Sequence, residues 1–126
     1  MGEGLLEVRQ LALRFGGITA LAGVDLSIAE GETLAVIGPN GSGKTSLMNC
    51  ITALYRPTSG SVRFRGESLL GLSPDAVTAR GVARTFQNLR LFQHMTVLDN
   101  LLLGRHLHFR RSLVDAFVRR RTEEVR

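Results

Sequence analysis

The chain has 126 residues, 44% of them hydrophobic and 21% charged, which is typical of one small globular domain or part of a larger one and argues against disorder. Its single cysteine, Cys50, excludes an internal disulfide, and no apolar run approaches the roughly 18 residues that a bilayer-spanning helix needs. The N-terminus lacks the basic and apolar regions of a signal peptide, so we expect a cytoplasmic protein.

The formal net charge of +5 is concentrated in the C-terminal tail. Residues 105–126 contain seven Arg and three acidic residues, a local charge of +4, which leaves +1 for the first 104 residues. Apolar residues recur on one helical face of the tail, which predicts an amphipathic helix with a solvated basic face; contact with anionic lipid or a partner is the alternative. The tail shows no platform of interleaved aromatic and basic side chains of the kind that grips single strands, so the charge does not indicate nucleic-acid binding.

The first third of the chain is predicted to be mostly strand. Residues 5–15 and 24–28 alternate apolar and polar side chains, and the Gly16-Gly17 turn signal follows the first of these segments. This pattern predicts two antiparallel strands. Residues 33–37 form a short apolar run, which predicts a buried strand ending at Gly38.

Helices and short strands are predicted to alternate in the rest of the chain. A helix is expected from about Gly43 to residues 55–57, with Cys50 as a packed core thiol. Ser73 before Pro74 indicates a helix start, and Thr96 three residues before Asp99 is a capping-box pattern that opens another helix. Residues 62–64 and 82–86 are expected to be strands.

Between the predicted buried strand and the first helix lies Gly38-Pro39-Asn40-Gly41-Ser42-Gly43-Lys44-Thr45, a complete match to the pattern G-x-x-x-x-G-K-[ST]. The glycines let backbone N–H groups converge into an anion nest, and the following helix directs the positive end of its dipole there. Lys44, the only lysine in the chain, would reach the β- and γ-phosphates, and the Thr45 hydroxyl would bind Mg²⁺. A chance match is the alternative, but strand, loop and helix are predicted in the required order. The candidate binding residues are Gly38, Asn40, Gly41, Ser42, Gly43, Lys44, Thr45 and Ser46.

With these motifs the whole chain resembles the ATP-binding subunits of ABC transporters, and among them those of branched-chain amino acid importers. Beyond the octapeptide, which is the Walker A motif, the resemblance rests on Phe15-Gly16-Gly17, on Thr58-Ser59-Gly60 and on Ala83-Arg84-Thr85-Phe86-Gln87-Asn88-Leu89-Arg90-Leu91-Phe92. It implies an α/β P-loop NTPase (ABC ATPase) fold with N-terminal antiparallel β strands. Residues 1–126 would then be the N-terminal part of one nucleotide-binding domain, with about 1–87 in the catalytic core and about 88–126 beginning a helical subdomain.

The resemblance also implies roles for single residues. Phe15 would stack on the adenine ring, and a core position at the strand end is the alternative. Lys44 and Gln87 would be catalytic, Thr45 and Gln87 would hold Mg²⁺, and Gln87 would also hold the attacking water. Residues 88–92 would lie where a permease subunit docks.

For the whole molecule the resemblance implies the energy-coupling ATPase subunit of an importer, with ATP and Mg²⁺ as cofactors. Its partners would be membrane permease subunits and a second ATPase subunit, identical or different, on the cytoplasmic side of the plasma (inner) membrane. The signature, the Walker B carboxylates and the switch histidine that hydrolysis needs in this family are absent from the 126 residues. We therefore expect a longer subunit that is incomplete here at the C-terminus, with ATPase activity assigned to that full-length subunit and left open for the chain alone. The alternatives are a non-catalytic nucleotide-binding fragment and an ABC-type ATPase acting on nucleic acid.

Overall fold

The computed structural model describes residues 4–86 and 91–105, which fall into two compact units divided between Arg84 and Thr85. The antiparallel strand pair, the helix after the octapeptide and the helix after Thr96 are confirmed, whereas the domain assignment stays a prediction. The elements in chain order are β1 (Leu6–Phe15), β2 (Ile18–Ile28), α1 (Lys44–Ile51), β3 (Ser59–Phe64), β4 (Glu67–Ser68), α2 (Pro74–Ala79) and α3 (Val97–Gly104).

The first unit is built on a four-stranded antiparallel sheet in the order β2-β1-β3-β4. β1 and β2 form a hairpin in which Phe15 pairs with Ile18 across a two-residue turn, and Gly16 in that turn has a φ of 56°. A left-handed residue suits the twist of such a tight hairpin, and glycine takes it without a Cβ clash. β2 therefore begins directly after the turn, six residues before the predicted strand, because pairing with β1 extends it.

A β-bulge at Gln10 interrupts β1. Gln10 has a φ of 46°, and the register of β1 shifts between Val8 and Leu11 against β2 and between Arg9 and Ala12 against β3. The extra residue allows Val8 and Leu11, three positions apart, both to be fully buried. The Gln10 backbone N–H, released from the ladder, donates to Asp25 Oδ1 at 2.8 Å, and this bond satisfies it.

One core joins the sheet to the two helices of the first unit. Leu47, Cys50 and Ile51 lie on one face of α1 and are buried, a spacing that directs one stripe of the helix toward the sheet. Burial raises the pKa of the Cys50 thiol, and the predicted packed core thiol is confirmed. The buried apolar residues are Val8, Leu11, Leu13, Leu21, Leu47, Cys50, Ile51, Val62, Leu69 and Val77.

Two predicted strands are wrong in the structure. Residues 33–37 form no strand, and Leu34, Val36 and Ile37 are 42%, 37% and 91% exposed instead of buried. Residues 82–86 also form no strand, and Phe86 is exposed. An apolar run becomes a buried strand only when neighbouring strands take its backbone hydrogen bonds and a second layer covers it. Neither run belongs to the four-stranded sheet, and no other strand pairing occurs within residues 4–86 and 91–105.

The second unit contains α3 and the turn before it. The predicted capping box is confirmed: Thr96 Oγ1 accepts from the Asp99 backbone N–H at 3.1 Å, and the Asp99 carboxylate accepts from the Thr96 N–H. The Asn100 side chain fastens the preceding turn, because its Oδ1 accepts from the Phe92 N–H and its Nδ2 donates to the Phe92 and Thr96 carbonyls. The predicted amphipathic tail helix lies outside the described residues. Within the described segments, no helix has the length and apolar character needed to cross a membrane.

Candidate nucleotide-binding site

The octapeptide forms a compact loop that leads directly into α1. Gly41 and Gly43 have φ values of 82° and 97°, a region that costs a residue with a side chain roughly 1–2 kcal/mol. A Cβ on Gly43 would also lie 2.7 Å from the Ala20 carbonyl oxygen, because β2 passes directly against the loop. Both glycines are thus required by the geometry and not only by the motif.

The beginning of α1 offers unsatisfied donors to an anion. Gly43 is the N-cap and has no side chain to accept from the first turn. The backbone N–H groups of Lys44, Thr45 and Ser46 have no hydrogen-bond acceptor among the described residues, whereas the next N–H, that of Leu47, donates to the Gly43 carbonyl at 2.8 Å. Free N–H groups and the positive end of a helix dipole together form a site for phosphate oxygens.

The Lys44 ammonium lies against the same loop. Its Nζ donates to the Gly38 and Pro39 carbonyls at 2.5 and 2.7 Å and to Ser42 Oγ at 3.3 Å. These acceptors hold the charge in place without a carboxylate neutralising it, since none of the three is ionised. Phosphate oxygens can therefore replace one or more of the carbonyls as acceptors, which adds charge assistance to the hydrogen bond.

The arrangement fits magnesium held mainly by a nucleotide. Mg²⁺ usually keeps several waters and is bound through one or two protein groups together with substrate phosphates. Thr45, the second residue of α1, is exposed and supplies one hydroxyl beside the free N–H groups. No group of three or more His, Cys, Asp or Glu residues in the described part of the chain could form a protein-only metal site.

Phe15 lies at the end of β1 and is 48% exposed, so the structure places it at the surface and not in the core. Its ring makes a T-shaped contact with Tyr55, with the ring centroids 5.3 Å apart and the planes at 81°. Sequence reasoning missed Tyr55. A contact between residues 40 positions apart leaves no spacing pattern in the sequence. The only available signal was that Tyr55 is the single tyrosine of the chain.

Gln87 and Asn88 lie outside the described residues, so the structure does not place the predicted catalytic glutamine. The segment that leads to it is tied to α1, since Arg84 Nη1 donates to Asn49 Oδ1 at 2.5 Å in a partly buried position. The sequence did not predict this contact. Leu91 and Phe92, from the predicted docking segment, are 72% and 59% exposed.

Comparisons with known proteins agree with this geometry. Residues 21–126 match the family model described as ABC transporter. The chain is 47% identical over 108 residues to the high-affinity branched-chain amino acid transport ATP-binding protein BraF of Pseudomonas aeruginosa, covering 86% of this chain and 42% of that protein. It is 41% identical over 119 residues to the corresponding LivG protein of Escherichia coli K12, covering 94% of this chain and 47% of LivG.

Solved structures show the same fold. The ADP conformation of MJ1267, an ATP-binding cassette of an ABC transporter, superposes with a TM-score of 0.74 at 35% identity, covering 90% of this chain and 45% of that one. The dimeric structure of MJ0796, a bacterial ABC transporter cassette, gives a TM-score of 0.72 at 30% identity over 85% of this chain and 49% of that one. The chain spans less than half the length of the relatives it matches. By its α/β P-loop fold and its matching family model, the chain belongs to the ABC transporter family.

Proposed function

We propose that the chain binds MgATP as part of the energy-coupling ATPase subunit of an importer for branched-chain amino acids. The observation that carries this proposal is the loop at the start of α1, where the Lys44 ammonium lies against the loop and the N–H groups of the first helical turn have no acceptor among the described residues. The similarity to BraF and LivG, whose names state branched-chain amino acid transport, supports the choice of solute class.

Within this proposal each residue has a defined task. The loop N–H groups and Lys44 bind the β- and γ-phosphates, and Thr45 holds Mg²⁺. Phe15, exposed at the end of β1, stacks on adenine. Gln87 would hold Mg²⁺ and the attacking water. When bound, Mg²⁺ neutralises charge that develops on the phosphates.

The chain supplies only part of the hydrolytic site. The signature, the Walker B carboxylates and the switch histidine do not occur in these 126 residues. We therefore propose nucleotide binding for this chain, and hydrolysis for a polypeptide that also carries those groups. We further propose permease subunits and a second ATPase subunit as partners at the cytoplasmic side of the membrane, with the exposed Leu91 and Phe92 in the permease contact.

Titration of the full native polypeptide with MgATP tests the proposal. Lys44→Ala should weaken binding about 10- to 100-fold, because charge-assisted hydrogen bonds to phosphate contribute roughly 1.5–3 kcal/mol. Arg63→Ala removes an equal charge from an exposed position on β3 and should bind as wild type does. Equal affinity in wild type and Lys44→Ala would exclude the proposed role of the loop.

A further inference from the structure

Tyr55 is the only described ring within stacking distance of Phe15. The two rings meet edge to face, with centroids 5.3 Å apart, and Phe15 remains 48% exposed. An edge-to-face pair is a favoured aromatic geometry because it places the positive edge of one ring against the negative face of the other. The contact therefore restricts the orientation of Phe15 while leaving about half of its surface open.

The backbone holds Tyr55 in this position. α1 ends at Ile51, earlier than the sequence predicts, and Ala53 follows with a left-handed φ of 59° that reverses the chain. The Tyr55 N–H then donates to the Asn49 carbonyl at 3.0 Å. Tyr55 is thus fixed to the end of the same helix whose beginning forms the phosphate site.

The turn after Tyr55 is also bonded to the strand that carries Phe15. The Thr58 N–H donates to the Ala12 carbonyl at 2.8 Å, and the Arg14 N–H donates to Thr58 Oγ1 at 3.0 Å. Arg14 directly precedes Phe15. One backbone bond, one side-chain bond and one ring contact therefore fasten the end of β1 to the turn that follows α1.

We propose that Tyr55 is a positioning residue for base recognition, which fixes the Phe15 ring in the orientation that stacks on a purine. This inference rests on the proposed function, in which Phe15 contacts adenine. An exposed phenylalanine at a strand end loses rotamer freedom when a base stacks on it, and a ring already held by a neighbour loses less. Tyr55 would therefore raise affinity for the base and leave the phosphate contacts unchanged.

Binding of two ligands to the full native polypeptide tests this. MgATP can contact both Phe15, through its base, and the loop, through its phosphates. Inorganic tripolyphosphate has no base and can contact only the loop. Tyr55→Ala should weaken ATP about two- to tenfold and leave tripolyphosphate binding unchanged. Tyr55→Leu, which keeps apolar bulk without a ring, should show the same selective loss, and Tyr55→Phe should restore wild-type ATP affinity. Leu54→Ala, at the exposed neighbouring position, is the matched control and should change neither affinity.

Different outcomes separate this inference from the proposed function. If Tyr55→Ala and Tyr55→Leu bind ATP as wild type does while Phe15→Ala weakens it, the proposed function stands and the role of Tyr55 is refuted. Equal weakening of ATP and tripolyphosphate would also refute it, because that result indicates a general structural role. If the wild type binds neither ligand, the proposed function fails and the inference fails with it.

Discussion

The Lys44 ammonium donates to the Gly38 carbonyl at 2.5 Å, so the first and seventh residues of the octapeptide are bonded across the loop. The same ammonium also donates to the Pro39 carbonyl and to Ser42 Oγ, so three neutral acceptors of the loop hold it. Binding a phosphate then requires an exchange of hydrogen-bond acceptors at Nζ. A side chain that is already held in place loses less rotamer freedom when it binds a ligand.

Gly43→Ala should damage the site more than Gly41→Ala. Both residues have positive φ, and alanine at either position is strained by roughly 1–2 kcal/mol. At Gly43 the added methyl would also lie 2.7 Å from the Ala20 carbonyl oxygen, whereas at Gly41 it would meet no atom within 4 Å. Urea unfolding and MgATP titration of the two variants measure both effects. Equal losses of stability and of MgATP affinity in the two variants would show that the close approach of β2 to Gly43 does not contribute to the difference.

Gly60→Ala should destabilise the fold strongly, because Gly60 packs against the backbone of β1. Gly60 has a φ of 94°, and an added Cβ would lie 2.6 Å from the Gln10 carbonyl carbon, at the bulge of β1. We expect a loss of more than about 2 kcal/mol in the free energy of unfolding, since backbone strain and a backbone clash add. Gly71→Ala, with a φ of 80° and no atom within 4 Å of the added Cβ, is the control. It should lose only the stability that backbone strain costs. A Gly60→Ala protein as stable as Gly71→Ala would contradict the close packing of β1 on β3.

The buried Cys50 thiol should make stability fall at alkaline pH. Burial raises its pKa above the ordinary value of 9.0, so the folded state retains a proton that the unfolded state loses. The contribution of the protonated Cys50 thiol to the free energy of unfolding is fully present below pH 9, and it is lost as the pH rises through the folded-state pKa. Urea unfolding at pH 7 and at pH 10 measures it, and Cys50→Ala should show a smaller decrease between the two than the wild type. Identical decreases would show that the thiol contributes nothing.

The parts of the fold that local chemistry decides were predictable from the sequence. The Gly16-Gly17 turn, the capping box at Thr96 and the helix after the octapeptide each depend on residues a few positions apart, and the structure confirms them. The left-handed Gln10 and the two-residue strand β4 gave no local signal, because both depend on pairing with strands distant in sequence.

The two wrong strands have the same physical cause. Residues 33–37 and 82–86 have the composition of buried strands, but composition does not show whether a partner strand is available to pair with them. In the candidate site, Lys44 and the glycines were identified by their fixed spacing. The Phe15–Tyr55 and Asn49–Arg84 contacts join residues 40 and 35 positions apart and could be found only in three dimensions.

Comparison of MgATP with AMP on the full native polypeptide shows directly whether the loop binds the β- and γ-phosphates. AMP keeps the base and the ribose but lacks both phosphates. We expect MgATP to bind at least about tenfold more tightly than AMP, since each charge-assisted hydrogen bond to phosphate contributes roughly 1.5–3 kcal/mol. Equal affinities for MgATP and AMP, or no binding of MgATP, would contradict it.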